Sequence, residues 1–290
     1  MYISKKSSNF AAKFENNYHM KRLIYIIITS VLCVMAQAQE SRLELFNQVY
    51  NADSLAPAKS LLDEWASTGD KDGDYYACQF NYYLNQGMKS GIQMSKELPL
   101  YAQGEKALTL TDTVTGGIAG YVYQGYSIVD SALLNTAYDW IKRGINACPN
   151  RLDLYFGLAT SYLYCDQTDP MILVLEQVMK QETKNKRKWL WLENEQLADT
   201  VDMVYMRIQE DFARFLDAER LNEAERLTSL AIKYYPKRAE YVNNMAVICY
   251  MRNDYKQAMK YFKKALKLNP GDELIKANIE YLEDVLKNAK

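Results

Sequence analysis

The tightest constraint on this chain is a spacing. Ala224, Ala231 and Pro236 recur 34 residues later as Ala258, Ala265 and Pro270. A chain that sets small residues and a proline at the same offsets twice is building one supersecondary unit twice, in register. Ala239 to Asp272 shows what that unit is. Apolar residues fall at Val242, Met245, Ala246 and Cys249, then at Ala258, Tyr261, Phe262, Ala265, Leu266 and Leu268, with Asn253 and Asp254 between the two sets. The period predicts two amphipathic helices folded back on each other, with the alanines where the helices approach closely.

On those residues the stretch resembles a tetratricopeptide repeat. That pattern has a large residue early in its first helix, a small one four residues on, alanines facing the partner helix and a closing proline. Val242, Ala246, Ala258, Phe262, Ala265 and Pro270 take these places, while Cys249 stands where the family usually has tyrosine. The resemblance implies an all-α fold: a TPR-like right-handed helical solenoid of about five or six helix pairs with a C-terminal capping helix over Asp272 to Lys287.

Earlier repeats follow the same reading. Leu43, Leu45, Phe46, Val49 and Tyr50 make a short helix, and Leu61, Leu62 and Trp65 stripe a second one, with Pro57 in its first turn. Asp74 to Asn85 is a dense aromatic helix. Ile118 to Pro149 reads as a repeat whose first helix carries Tyr121, Gly125 and Ile128 and whose second carries Leu134, Ala137, Ile141 and Gly144. Arg151 to Tyr164 makes the next first helix, and Leu173, Leu175 and Val178 belong to its partner.

Two segments break the pattern. Ile92, Met94, Leu108 and Leu110 alternate with polar neighbours, and a run of threonines lies between Pro99 and Gly116, so residues 91–116 are expected as a small β-like insertion. Pro149 and Pro236 are two periods plus 19 residues apart, which places an irregular insertion at 186–204. A basic cluster, Lys184, Lys186, Arg187 and Lys188, spans its start, and Trp189 and Trp191 follow.

The N-terminal region carries an address. Met20, Lys21 and Arg22 precede an apolar run from Leu23 to Met35, and Ala36-Gln37-Ala38 closes it. This is the anatomy of a secretory signal peptide over residues 20–38, cleaved after Ala38, with residues 1–19 an upstream extension from a start placed too early and residues 39–290 the solenoid. A lipoprotein reading through Cys33 is disfavoured by Leu32, because lipid attachment needs a small residue there. Export to the periplasm, the outer membrane or the medium is expected, with no transmembrane span in the mature chain.

Cleavage also removes five of 35 basic and one of 36 acidic residues, leaving 30 against 35 and a net charge of −5. That charge and address argue against a nucleic-acid partner. The single histidine, His19, lies upstream of the leader, so the mature chain has no imidazole for a catalytic triad or a metal. No phosphate-binding loop, nucleophile elbow, zinc motif or Cys-x-x-Cys occurs, and carboxylates are spaced as on solvated helix faces. No catalytic residues, cofactor or metal are expected. Cys78, Cys148, Cys165 and Cys249 read as packing residues, not as a disulfide framework.

A protein or peptide partner is what the resemblance implies, held along the concave surface of first helices. The fifth, sixth, ninth and twelfth positions line that groove in the family. Carried across residue by residue, they include Tyr123, Tyr126, Phe156, Thr160, Gln209, Asn243, Asn244, Val247 and Tyr250, with Trp189 and Trp191 as an accessory surface. The alternative is a glycan-binding component of the cell surface, since exposed aromatics stack on sugars. Exposure of both tryptophans in a cleft favours the glycan; burial favours the peptide groove.

Overall fold

The computed structural model describes residues 41–51, 55–103, 107–186, 188–198 and 202–288. Its elements in order are α1 (Arg42–Asn51), α2 (Leu55–Ser67), α3 (Gly73–Gly87), β1 (Met88–Ser95), β2 (Leu108–Thr111), β3 (Ile118–Ile128), α4 (Ser131–Ala147), α5 (Leu152–Tyr164), α6 (Thr168–Asn185), α7 (Met203–Asp217), α8 (Leu221–Tyr234), α9 (Ala239–Met251), α10 (Tyr255–Leu268) and α11 (Glu273–Asn288). Helices pack as consecutive pairs, α1 with α2 through α9 with α10, and α11 closes the array against α10.

The repeat is visible in backbone detail. Asp166, Glu219 and Asn253, each in the left-handed region with φ of 53°, 55° and 62°, stand in the turns of the last three pairs. The residue after each donates its N–H back across the turn to the last helical residues: Gln167 to Tyr162, Arg220 to Phe215 and Asp254 to Cys249, at 2.8, 2.7 and 2.9 Å. These bonds satisfy carbonyls that a helix end leaves over. Glu219 and Asn253 are one period apart, and Asp166 and Glu219 one period plus 19. The period set by the alanines is therefore also the period of the turns.

Packing explains why alanine recurs. Ala224, Ala231, Ala258 and Ala265 are all fully buried, as is Phe262. A larger side chain at such a seam would hold the helices apart. In the α3–α4 pair the corresponding close approach is at Gly144, where a Cβ would lie 2.6 Å from Cβ of Tyr76. Asp272 caps α11 by accepting the N–H groups of Leu274 and Ile275 at 3.0 and 3.1 Å, and Ile275 and Leu282 bury the face that the last pair presents.

The β-insertion is larger than its expected bounds. It is a three-stranded antiparallel sheet in the order β1-β3-β2, beginning at Met88 and ending at Ile128. Residues 118–128, expected as a helix, are strand β3, so Tyr123 and Tyr126 stand on a sheet and not on a first helix. The first helix that pairs with α4 is instead α3, and the sheet is an excursion within their turn. Gly87 shows how the excursion closes: its carbonyl accepts the N–H groups of Val129 and Asp130 at 2.9 and 3.1 Å. The chain thus leaves the helix pair and returns to it at one point.

Candidate functional site

First helices of successive repeats are tied to one another by side chains at matching positions. Asn244 Nδ2 of α9 donates to Gln209 Oε1 of α7 at 2.9 Å, and Asn278 Nδ2 of α11 donates to Asn243 Oδ1 of α9 at 3.4 Å. Asn244 and Asn278 are one period apart, as are Gln209 and Asn243, so this is one amide rung used twice. Asn244 is buried while Gln209, Asn243 and Asn278 are half-buried. Gln209 Nε2 has no acceptor among the described residues. Val247 is buried next to this row. Beyond it, Tyr250 and Tyr281 join hydroxyl to hydroxyl at 3.2 Å, and Tyr250 also leans on Tyr255 at 5.5 Å between centroids. Burial, then the hydroxyl of Tyr281, push the Tyr250 phenol up to about 12, so it stays neutral.

The opposite end of the expected groove is occupied by the chain itself. A 3₁₀ turn, Leu100–Ala102, lies against α5, α7 and β3, and its three residues are buried. The Tyr101 ring meets the edges of Tyr123, Tyr126 and Tyr164, and Tyr126 stacks on Tyr164 with centroids 4.0 Å apart. The Tyr101 hydroxyl accepts the N–H of Tyr126 at 3.3 Å. Tyr123 and Tyr126 therefore belong to a packed aromatic cluster around Tyr101.

Between these ends, Phe156 and Thr160 of α5 face Arg207 of α7. Arg207 Nη1 donates to Thr160 Oγ1 at 2.9 Å, and its guanidinium carbon lies 5.6 Å from the Phe156 ring centre. Nε of Arg207 donates to Asp211 Oδ2 at 2.7 Å, pairing a fully buried carboxylate within the helix. Trp191 meets Phe156 edge-on at 6.3 Å and is half-buried, while Trp189 is buried at 3% exposure against Tyr155. Residues 188–198 form the irregular segment that carries both tryptophans. It is strapped to the α4–α5 junction: Leu190 N–H donates to the Asn150 carbonyl at 2.8 Å and Leu152 N–H to the Leu190 carbonyl at 3.0 Å. Trp189 thus packs under its own loop.

The principal buried ionic group was not legible in residue spacing. Arg151, 1% exposed, donates through Nε and Nη2 to both oxygens of Asp153 at 2.9 and 2.8 Å, and through Nη2 to Asp74 at 2.6 Å. Asp74 also accepts the N–H of Glu193 at 3.1 Å, so the cluster joins α3, α5 and the irregular segment. Burial pushes the Asp153 carboxyl up while the guanidinium works against it. For Arg151 burial opposes the charge, but its bonds to Asp153 and its field from both carboxylates outweigh that and hold the group above its usual value. Asp74 lies 77 residues from Arg151 and 119 from Glu193 along the chain, so only the folded array brings them together.

The remaining chemistry is quiet. Cys78, Cys148, Cys165 and Cys249 are free thiols, each pushed up by burial and so unsuited to thiolate chemistry. Among the described residues no group of His, Cys, Asp and Glu is placed to hold a metal, and no helix is long and apolar enough to cross a membrane. The expected leader, residues 20–38, lies outside the described residues.

Against known proteins, the tetratricopeptide repeat family profile matches residues 239–272. The chain carries a tetratricopeptide repeat. That repeat is α9 with α10, and the turn of α7 with α8 reproduces its left-handed residue and its hydrogen bonds one period earlier. Among solved structures the chain is similar to YrrB, described as a TPR protein with an unusual peptide-binding site, at 14% identity over 83% of this chain and 90% of that one, with a TM-score of 0.33. It is similar to MamA AMB-1 at 13% identity over 82% and 95%, TM-score 0.34. A third is a thermophilic TPR protein of Thermus thermophilus, at 14% identity over 83% and 96%, TM-score 0.31. A comparison with curated proteins finds no match.

Proposed function

We propose that this chain is a non-catalytic scaffold of the bacterial cell envelope, and that it holds an extended partner segment along the first helices α7, α9 and α11. The observation that carries the reading is the repeated amide rung of Gln209, Asn243, Asn244 and Asn278. Asn244 is buried and ties the helices, while the half-buried amides of Gln209, Asn243 and Asn278 both donate and accept, as a peptide backbone does, so they can bond an extended segment without demanding its sequence. Tyr250 adds rigid apolar area with a neutral hydroxyl at the rim, the residue chemistry that concentrates binding energy. The segment ends where the chain's own Leu100–Ala102 turn begins, so Tyr123 and Tyr126 leave the proposed binding set and Phe156 and Thr160 become its boundary.

A glycan reading has lost the exposed tryptophan pair on which it rested, because Trp189 is buried and Trp191 packs on Phe156. The envelope setting is supported by the basic, apolar and Ala-x-Ala succession of residues 20–38. Site-specific photocrosslinking tests the face. A benzophenone side chain at Asn243 should capture a discrete partner in the producing cells, whereas one at Lys264, exposed on α10, should not. Equal capture from both positions, or none from Asn243, would refute it. N-terminal sequencing of the protein from the envelope fraction should read from Gln39.

A further inference from the structure

Among the described residues, most of the exposed large apolar side chains lie on the β-insertion. Ile92 and Met94 of β1 and Leu108 of β2 are 76%, 70% and 72% exposed. Met94 stands opposite Val122, and Val122 opposite Leu108, so these residues form one apolar row across the sheet, with Ile92 on the same face of β1. A contiguous apolar face in water marks an interaction surface. β1 is also an edge: among the described residues it has β3 on one side and no strand on the other. Its eight residues contain no proline, and nothing lies within 4 Å of where a Cβ of Gly91 would be. Proteins usually block such an edge with charges or proline; β1 has one charge, Lys89.

We propose that β1 pairs antiparallel with β1 of a second copy of this chain, about a two-fold axis at Gln93, joining the two sheets edge to edge. Only registers that keep each residue opposite one of its own face are open, because side chains alternate along a strand. Centring the pair on Gln93 sets Ile92 opposite Met94 of the other copy, twice by symmetry. Centring on Ile92 sets Met94 against Ser90, and centring on Gly91 sets Ile92 against Ser90. Of these, only the register at Gln93 pairs the two exposed apolar residues with each other.

A lipid surface fits less well. Val114, 93% exposed at the tip of the β2–β3 hairpin, sits beside Asp112, whose Oδ1 accepts the N–H groups of Val114 and Thr115 at 2.7 and 2.9 Å. Those bonds hold the Asp112 carboxyl below its usual range, so the tip that would enter a bilayer first carries a fixed negative charge. The dimer does not depend on the reading of the first-helix face, which lies on α7, α9 and α11.

Sedimentation of the purified protein from about 1 to 100 μM tests this. The wild type should sediment as a dimer, and Ile92→Lys with Met94→Lys as a monomer that keeps the helical circular dichroism of the wild type, since both side chains are exposed in the single chain. Gln93→Cys should crosslink to its own copy on oxidation, because residues on the axis lie about 4.5–5.5 Å apart between Cα atoms, within disulfide reach. A monomeric wild type over the whole range, or a dimer indifferent to Ile92→Lys and Met94→Lys, would overturn the proposal. Cosedimentation of the monomer with phosphatidylethanolamine–phosphatidylglycerol vesicles, lost in that double variant, would also overturn it and assign the face to lipid.

Discussion

Arg151→Met should be among the most damaging single substitutions in this chain, although it leaves an apolar side chain of similar length. The guanidinium is the cation for two carboxylates that are themselves almost wholly buried, with side-chain exposures of 7% for Asp74 and 9% for Asp153. Removing one partner of a buried ion pair costs about 3–5 kcal/mol, because the charge left behind has neither water nor counter-ion. At about 2–4 °C per kcal/mol for a chain of this size, the melting temperature should fall on the order of 10 °C. Arg220→Met is the control. Its partner Asp166 is 61% exposed, and such a pair is worth at most about 1 kcal/mol.

The loss should also depend on pH with a fixed sign. Without Arg151, burial acts on Asp153 unopposed by the guanidinium and raises its carboxyl further above the unfolded value of about 3.9. A group with a raised folded pKa contributes stability below its unfolded pKa and loses it as pH rises through the folded one. The deficit of the variant should therefore be small near about pH 4 and grow toward about pH 7. Because a repeat array can melt in parts, hydrogen exchange should accompany the melt. Protection should be lost first in α3 and at the N–H of Glu193, which donates to Asp74. A fall of under about 3 °C at neutral pH, or a deficit independent of pH, would refute the reasoning that the cluster is held by buried charge.

Tyr126→Ala should cost about 1–3 kcal/mol in chemical denaturation, as expected for a half-buried aromatic stacked on Tyr164, whereas Tyr250→Phe should stay within about 1 kcal/mol and act on partner capture. Gly87→Ala should destabilise the α3–α4 pair by about 1–3 kcal/mol or more, read by thermal melt, since its Cβ would lie 2.6 Å from the backbone nitrogen of Leu134. In the Asp112 turn, the amide signals of Val114 and Thr115 should titrate with a midpoint below the usual aspartate range. The depressed carboxyl supports the turn above its unfolded pKa and releases it as pH falls through the folded one.

The helical array was legible because one physical demand recurs: close helix contact needs small residues at a fixed offset. Ala224, Ala231, Ala258 and Ala265 met that demand in the sequence and are fully buried in the fold. The 19-residue excess counted between prolines reappears between the turn residues Asp166 and Glu219, since an irregular segment displaces everything after it equally. Residues 118–128 were misjudged for the converse reason. Tyr121, Gly125 and Ile128 fit a helical stripe, but three points do not separate a helical period from a strand when one of them is a glycine. The composition IAGYVYQGYSI carried the better signal, because Tyr, Val and Ile favour a pleated surface and glycine weakens a helix.

The candidate site divides along the same line. Asn244 and Gln209 meet on neighbouring first helices, as their repeat positions predict, because position is what periodicity reports. Arg151, Asp74 and Glu193 were missed because their association follows from which repeat packs on which, and from where the irregular segment lands. Leu100–Ala102 shows the consequence. As sequence, LPLYA is a turn within a strand-like insertion; in the fold it rests on α5 and α7 and closes one end of the first-helix face. A solenoid with an uninterrupted face could hold a long segment, whereas this one leaves α7, α9 and α11. The insertion that bounds the proposed first-helix surface also supplies the exposed edge of β1, so one departure from the repeat underlies both proposals.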